Sequence, residues 1–101
     1  MAKATAGGEH LPLKFFKMWY VYVLYSESHN RFYKGIAKNV SRRLKEHNSG
    51  KTKSTKGFRP WKLFFVEEYE SAEEARLKEK FLKSGDGRKY IKDKWSRSSA
   101  G

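Results

Sequence analysis

The chain has 101 residues and a formal net charge of +12, because 23 Lys and Arg residues outnumber 11 Asp and Glu residues. A chain of this length supplies one hydrophobic core, which excludes mechanisms that need several domains. So strong a positive field indicates a polyanionic partner. Nucleic acid fits better than a membrane surface, since no segment is apolar enough to span a bilayer or has the pattern of a basic amphipathic membrane helix.

The cysteine count indicates the cellular compartment, and the termini indicate the limits of the domain. The absence of cysteine excludes disulfides and thiolate metal sites, and it is compatible with a cytoplasmic protein, including a nucleoid-associated one. Residues 1–10 lack an apolar segment, and Lys14 and Lys17 interrupt the apolar residues that follow, so no signal peptide is expected. We predict a flexible extension at residues 1–16, one domain at residues 17–95 and a flexible tail at residues 96–101.

The first half of the domain predicts a hairpin followed by a helix. Residues 18–25 are aromatic and β-branched on both alternating faces, which is typical of a central strand. The polar residues 26–30 predict a turn into a second strand at residues 31–36. Asn39 is a good N-cap for a helix at residues 40–48, which Ser49 and Gly50 would end.

The second half predicts one more strand and two helices. A basic loop at residues 51–60 precedes a strand at residues 61–69. Ser71 and Glu74 form a capping-box signature for a helix that reaches about residue 83 and ends before Gly85. A final helix at residues 88–95 would pack Ile91 and Trp95 from one face. The order β-β-α-β-α-α predicts an α+β domain with a small three-stranded, mostly antiparallel sheet flanked by helices.

Polar side chains interrupt the apolar stripes of both longer helices. On the first, Arg43 and His47 share the i, i+3, i+4, i+7 stripe with Val40 and Leu44. Each has an ordinary explanation alone: a guanidinium that reaches past the sheet edge, and a histidine favoured at a helix C-terminus. On the second helix, Glu79 lies among apolar neighbours, where either a lysine or a hard divalent cation could be its partner.

These residues follow the order of motifs in a known nuclease superfamily. Val21-Tyr22-Val23 ends a first motif, Tyr33-Lys34-Gly35 forms a second, and Arg43 with His47 and then Glu79 follow in helices. The set resembles the GIY-YIG nuclease superfamily, particularly its short single-domain members and more distantly the nuclease domain of the bacterial nucleotide-excision-repair incision subunit. Tyr20 stands in place of the first glycine, and Lys34 in place of an apolar residue.

The resemblance implies a one-metal phosphodiesterase. Tyr33 would be the leading candidate for the general base, with Tyr22 supporting or replacing it, and Arg43 would stabilise the charge of the transition state. His47 would orient water or contact phosphate, and Glu79 would hold one Mg²⁺ or Mn²⁺ ion. A phenol has a reference pKa of about 10, so Tyr33 needs nearby positive charge to act near neutrality, and Lys34, Arg43 or the metal could supply it.

Basic residues in helices, loops and helix ends are expected to contact phosphates. They are Lys34, Arg42, Lys45, Lys51, Lys53, Lys56, Arg59, Lys83, Arg88 and Lys89. Such contacts carry no sequence information, so binding should weaken steeply as salt increases. The segment at residues 84–87 reads as a helix stop and restart, with an anion-binding nest as the alternative.

Three functions remain open from the sequence. The first is a metal-dependent DNA endonuclease, selective for DNA structure and linked to repair or recombination, with a monomer as the default state. The second is a weakly active or inactive module that binds DNA or structured RNA. The third, a structural protein of a ribonucleoprotein particle, predicts no convergence of Arg43, His47 and Glu79 on Tyr22 and Tyr33.

Overall fold

The computed structural model describes residues 18–100, with side chains described for residues 18–97. The predicted extension at residues 1–16 lies outside this range. The strands are β1 (Trp19–Ser26), β2 (Arg31–Ala37) and β3 (Trp61–Tyr69), and the helices are α1 (Val40–Ser49), α2 (Lys53–Lys56), α3 (Ala72–Leu82) and α4 (Gly85–Ala100). No helix in the described part of the chain is both long and apolar enough to cross a membrane.

The sheet has the order β2-β1-β3, and both pairings are antiparallel. β1 and β2 form the predicted hairpin, in which Asn30 has a φ of 51°, a left-handed conformation that asparagine tolerates better than most residues. β1 lies in the centre, as its apolar character on both faces predicts. The predicted α+β fold with a three-stranded antiparallel sheet is therefore confirmed.

Alternating side chains of the sheet build two separate clusters. Tyr22 and Leu24 of β1 pack with Val40 and Leu44 of α1, so we name this side the α1 face. Val21 and Val23 pack on the opposite side with buried residues of α3 and α4, which defines the α3 face. The sheet is thus the middle of three layers, and residues on α1 and α3 approach it from opposite sides.

Helix α1 has the predicted ends. The Asn39 side chain accepts a hydrogen bond from the Arg42 amide at 3.0 Å, which satisfies one of the free N–H groups of the first turn. Gly50 closes the helix with a φ of 86°, a value that favours glycine. Between these ends, Val40 and Leu44 pack against the sheet and His47 is buried.

Three details of the second half correct the prediction. The basic loop contains a one-turn helix, α2. Gly85 begins α4 instead of ending α3, and Ser84 caps α4 by accepting a hydrogen bond from the Gly87 amide at 3.1 Å. α4 extends from Gly85 through Ala100, well beyond both ends predicted at residues 88 and 95, and it includes most of the segment assigned to the tail. The domain limits at residues 17 and 95 stay predictions.

The junction of α3 and α4 requires a glycine. A Cβ atom at Gly87 would lie 1.9 Å from the Phe81 carbonyl oxygen, so the first turn of α4 packs against the end of α3 more closely than any side chain permits. This helix stop and restart, predicted at residues 84–87, brings Ile91 of α4 into the core and Trp95 against the aromatic side chains of the sheet.

Candidate functional site

The phenol of Tyr22 crosses directly over the second strand. Tyr22 is paired with Gly35 in the register of β1 and β2, and a Cβ atom at position 35 would lie 2.6 Å from the Tyr22 hydroxyl oxygen. No side chain fits there, so the glycine of the second motif is needed to seat the phenol of the first. The position of the Tyr22 hydroxyl is thereby set by the hairpin register.

A buried hydrogen-bond chain begins at this hydroxyl. The Tyr22 oxygen lies 3.1 Å from Nε2 of His47, and Nδ1 of His47 lies 2.8 Å from Oγ1 of Thr55. The Thr55 hydroxyl donates to the carbonyl of Thr52 at 3.3 Å, so it accepts from His47 Nδ1–H. The neutral imidazole then presents Nε2 as an acceptor, and the Tyr22 hydroxyl donates to it.

Burial favours the neutral form of both rings in this chain. Burial lowers the pKa of His47, and the positive charge of Arg43 lowers it further. Burial raises the pKa of Tyr22 above the usual value for a phenol, although a hydrogen bond from Arg43 acts in the opposite direction. A standing phenolate at Tyr22 is therefore disfavoured, while a neutral acceptor at His47 is favoured.

Tyr33 packs beside this chain. Its ring centroid lies 4.7 Å from that of His47 and 6.3 Å from that of Tyr22, and the side chain is half-buried. Lys34, the next residue, points to the α3 face of β2, where it lines a pocket with Arg88 and Ile91 of α4. The expected help of Lys34 to Tyr33 is therefore not supported by its position, whereas Arg43 acts on Tyr22 on the same face as Tyr33.

Arg43 connects the buried chain to an open cleft. Its guanidinium interacts with the Tyr22 hydroxyl and forms an ion pair with Glu46 at 2.5 Å. Both residues line a cleft of about 430 Å³ between α1 and the end of β2, which Ile36 and Ala37 also line. A phosphate entering this cleft would compete with Glu46 for the same guanidinium.

Glu79 reaches the site from the other layer. It lies on α3, and its carboxylate pairs with Lys83 at 3.2 Å. Its negative charge raises the pKa of Tyr22, as the smallest of the causes that act on that group, so the interaction is electrostatic rather than a contact. Four of the five predicted side chains thus come together on the α1 face, and Glu79 approaches from across the sheet.

Glu79 satisfies a modest requirement for a metal ligand. Among the described residues, no three His, Cys, Asp or Glu side chains form a metal-binding group. Mg²⁺ at phosphates commonly takes one or two carboxylates and completes its shell with water and phosphate oxygens. The Glu79 side chain is 23% exposed, so it fits a one-carboxylate site if the ion displaces Lys83.

The predicted phosphate-binding residues fall into four regions around the site. Arg42 and Lys45 lie on the exposed side of α1, and Lys34 lies on β2. The segment around α2 carries Lys51, Lys53, Lys56 and Arg59. The junction of α3 and α4 carries Lys83, Arg88 and Lys89. All of them except Lys34 are exposed. Arg42 pairs with Glu46 and Lys83 with Glu79, and the other exposed charges are available to a polyanion.

Sequence reasoning missed three residues of the site. Thr55 was assigned to a loop, yet it is 1% exposed and orients His47. Trp61 holds Thr55 in place by donating from Nε1 to its carbonyl at 2.9 Å. Glu46 pairs with both Arg42 and Arg43, and its i+4 and i+3 spacing was a usable signal. Nothing in the sequence around Thr55 indicated its role.

Comparison with known proteins agrees with this geometry. A family model described as the GIY-YIG catalytic domain matches residues 18–91. A UPF0213 protein of Clostridium perfringens (strain 13 / Type A) is 37% identical over 67 residues, which are 65% of this chain and 71% of that protein. No solved structure matches the chain. The matched range begins just before β1, contains every predicted catalytic and metal-binding residue and covers most of the described chain. The chain therefore belongs to the GIY-YIG nuclease family.

Proposed function

We propose that the protein is a metal-dependent endonuclease that hydrolyses phosphodiester bonds in DNA. The observation that carries this proposal is the buried chain from Tyr22 through His47 to Thr55. A solvated surface histidine needs no such arrangement. A proton acceptor of fixed tautomer, hydrogen-bonded to a phenol beside a guanidinium, matches what proton abstraction from water requires.

The hydrogen bonds favour Tyr22 over Tyr33 as the group that takes the proton from water. Burial raises the pKa of Tyr22, so the phenol does not ionise in advance. As water attacks phosphorus, the Tyr22 oxygen accepts the water proton while its own proton passes to Nε2 of His47. The O–H bond of water and that of Tyr22 break, and one new O–H bond and one N–H bond form. His47 becomes an imidazolium whose Nδ1–H remains bonded to Thr55.

Arg43 would stabilise the charge that develops on the phosphate. Its guanidinium presents paired donors to two oxygens, whereas an ammonium offers a point charge. In the free protein one terminal nitrogen of Arg43 pairs with Glu46, which holds Arg43 in place before the substrate arrives. Phosphate binding would then exchange one anion for another at the same guanidinium.

Glu79 would hold the single divalent ion. When bound, the ion supplies Lewis-acid stabilisation of the leaving oxygen. The support for this role is that the negative charge of Glu79 acts on Tyr22. The Lys83 ammonium, now paired with Glu79, would be released to contact the substrate backbone.

DNA of branched, flapped or damaged structure is the proposed substrate, in repair or recombination. A small domain whose basic residues are spread over helix surfaces and loops has few means of reading base edges. Selection by shape is therefore more consistent with it than selection by sequence. The alternative remains a binding module of low activity, since Arg43 and Glu79 are both ion-paired with protein side chains.

Cleavage assays on matched variants test the proposal. Duplex, flapped and single-stranded DNA and structured RNA are incubated with Mg²⁺ or Mn²⁺ and with a chelator. We expect Tyr22→Phe and Arg43→Lys to lower the rate by about 10²-fold or more, because each removes a group that acts in the transition state. Glu79→Ala should abolish the metal-dependent rate.

Control substitutions separate chemistry from general damage. Tyr25→Phe, on the same strand at a solvent-facing hydroxyl, and Glu73→Ala, exposed on α3, should cleave as the parent does. Equal cleavage by Tyr22→Phe, Glu79→Ala and the parent would indicate a contaminant. Tight, salt-sensitive binding without cleavage of any substrate would support the binding module instead. Cleavage of RNA alone would exclude DNA as the substrate.

A further inference from the structure

A second basic pocket lies on the side of β2 that faces away from the catalytic cleft. Its cavity has a volume of about 210 Å³, and its lining residues are Arg31, Phe32, Lys34, Arg88, Ile91 and Lys92. Four of these six residues are cationic and none is acidic. We name this cavity the β2 basic pocket.

The charges in this pocket are not balanced by protein carboxylates. Within the described residues, no acidic side chain pairs with Lys34, Arg88 or Lys92, as the ion pairs lie elsewhere. Burial lowers the pKa of Lys34, and the charges of Arg88 and Lys83 lower it further. A half-buried ammonium beside like charges costs free energy in the free protein, and a bound anion would remove that cost.

The pocket is a built feature rather than a stretch of solvated lysines. Ile91 is 1% exposed, and together with Phe32 it forms an apolar wall next to the Lys34 stem. The Arg88 guanidinium donates from one terminal nitrogen to the Lys83 carbonyl at 3.2 Å, which restrains its position and leaves its remaining donors free for a ligand. The Arg31 guanidinium lies over the Phe58 ring, 4.6 Å from its centroid, on the α1 face, so the charges that face the pocket are those of Lys34, Arg88 and Lys92.

The geometry points to a binding site for a second, non-scissile phosphate of the nucleic-acid strand that is cut. Lys34 lies between Tyr33 and Gly35, so alternation places its side chain on the opposite face of the same strand. β2 is an edge strand, and no strand among the described residues pairs with its outer side. The backbone of the substrate therefore passes around this edge, with one phosphate on each face of β2.

This inference rests on the proposed function only in taking nucleic acid as the ligand, and binding tests it without cleavage. Labelled single-stranded and duplex DNA of one sequence are titrated by fluorescence anisotropy in the presence of a chelator. The variants are Lys34→Gln, Arg88→Gln and both together. The control is Lys62→Gln, which removes an exposed cation from β3 at the other edge of the sheet.

One shared phosphate predicts a specific pattern. Each single variant should weaken binding several-fold, and the double variant should be little weaker than either, because both side chains hold the same group. The slope of log affinity against log salt should fall by about 0.7 to 0.9 in the double variant, which corresponds to one phosphate. Lys62→Gln should change the affinity less than twofold.

Neutral phosphate analogues identify the ligand directly. A methylphosphonate placed at successive linkages should weaken binding of the parent at one position away from the cleavage site, and the double variant should be insensitive at that position. The inference would be overturned if the losses of affinity in Lys34→Gln and Arg88→Gln were additive and each equal to that of Lys62→Gln. Such losses would show that the overall positive charge, and not a pocket, binds the DNA. The inference would also be overturned if every methylphosphonate weakened binding of the double variant as much as binding of the parent, or if the protein bound neither DNA. Cleavage by Tyr22→Phe bears on the proposed function and does not alter these outcomes.

Discussion

At the scale of single residues, Gly35 and Tyr22 depend on one another. The absence of a side chain at position 35 gives the phenol its place, since a Cβ atom there would lie 2.6 Å from the Tyr22 oxygen. The familiar explanation of a glycine, a positive φ, does not apply: within the described residues, Gly50 is the one glycine with that conformation. The glycine of the second motif is therefore required so that the tyrosine of the first motif can pack over it.

We expect Gly35→Ala to displace the Tyr22 hydroxyl from His47. Overpacking of this kind costs about 1 to 3 kcal/mol, so the free energy of unfolding in urea should fall within that range and cleavage should be lost. Gly57→Ala is the control, because nothing lies within 4 Å of a Cβ atom at that position. Equal stability of the two variants would show that β2 can shift to accommodate a methyl group.

His47 also predicts a pH dependence. Burial and Arg43 lower its pKa in the folded protein, whereas Glu46 raises it to a lesser extent. Between this lowered pKa and the unfolded value of about 6.5, the unfolded chain binds more protons. The free energy of unfolding should therefore fall as the pH decreases from about 6.5. Cleavage should fall as well, because an imidazolium cannot accept the Tyr22 proton.

Substitution tests whether His47 causes this fall in unfolding free energy at low pH. His47→Gln keeps a hydrogen-bond acceptor but does not titrate, so its unfolding free energy should lose most of the pH dependence below about 6.5. His29→Gln, at an exposed position in the hairpin turn, should keep the pH dependence of the parent. An unchanged pH dependence in His47→Gln would mean that another group titrates in this range. It would contradict the assignment of His47 as a neutral acceptor.

At the scale of elements, the sequence predicted what local pattern determines. The three strands, α1 and α3 each combine an apolar period with a terminal signal, such as Asn39 or Ser71. α2 has no apolar period, because its four residues contain no apolar side chain, and the Thr52 side chain at its N-cap makes no capping hydrogen bond. Tertiary contacts stabilise it instead, through the burial of Thr55 and the Trp61 hydrogen bond to its carbonyl. Such contacts cannot be read from sequence spacing.

The same limit applies to the candidate site. Motif order selected Tyr22, Tyr33, Arg43 and His47 as candidates, and their proximity could be expected because α1 and the hairpin are local elements with recognisable faces. The hydrogen bond between Tyr22 and His47 joins residues 25 positions apart, and the layer from which Glu79 approaches depends on the packing of α3. Roles that depend on such contacts, including the proposed role of Tyr22 as the base, could not be derived from the sequence.

Helix α2 supplies the second hydrogen bond of His47, and this can be tested. Thr55→Val keeps the shape of the side chain but leaves His47 Nδ1–H without an acceptor, which costs about 1 to 3 kcal/mol for a buried donor. Cleavage should also decrease, because the tautomer is no longer fixed. Thr55→Ser retains the hydroxyl and should retain most of the rate. A loss in Thr55→Ser without a loss in Thr55→Val, measured by urea unfolding and cleavage, would indicate that the methyl group matters and the hydroxyl does not.

At the scale of the whole molecule, the same positive charge destabilises the folded protein and favours its binding to nucleic acid. A net charge of +12 on 101 residues repels itself in the compact state. Added salt screens this repulsion, and it also reduces the gain from releasing counterions when the protein binds nucleic acid. Salt should therefore stabilise the free protein while it weakens the complex.

We expect the thermal midpoint of the free protein to rise between 50 and 200 mM salt, while DNA affinity falls over the same range. If about six to ten phosphates are contacted, the affinity should decrease by about 10³ to 10⁵-fold. Calorimetry and anisotropy in the same buffers measure the two responses. DNA of unrelated sequence should give the same slope, because phosphate contacts do not read bases. A salt-independent affinity would contradict this account, since binding would then depend on groups other than the basic residues around α1, α2 and α4.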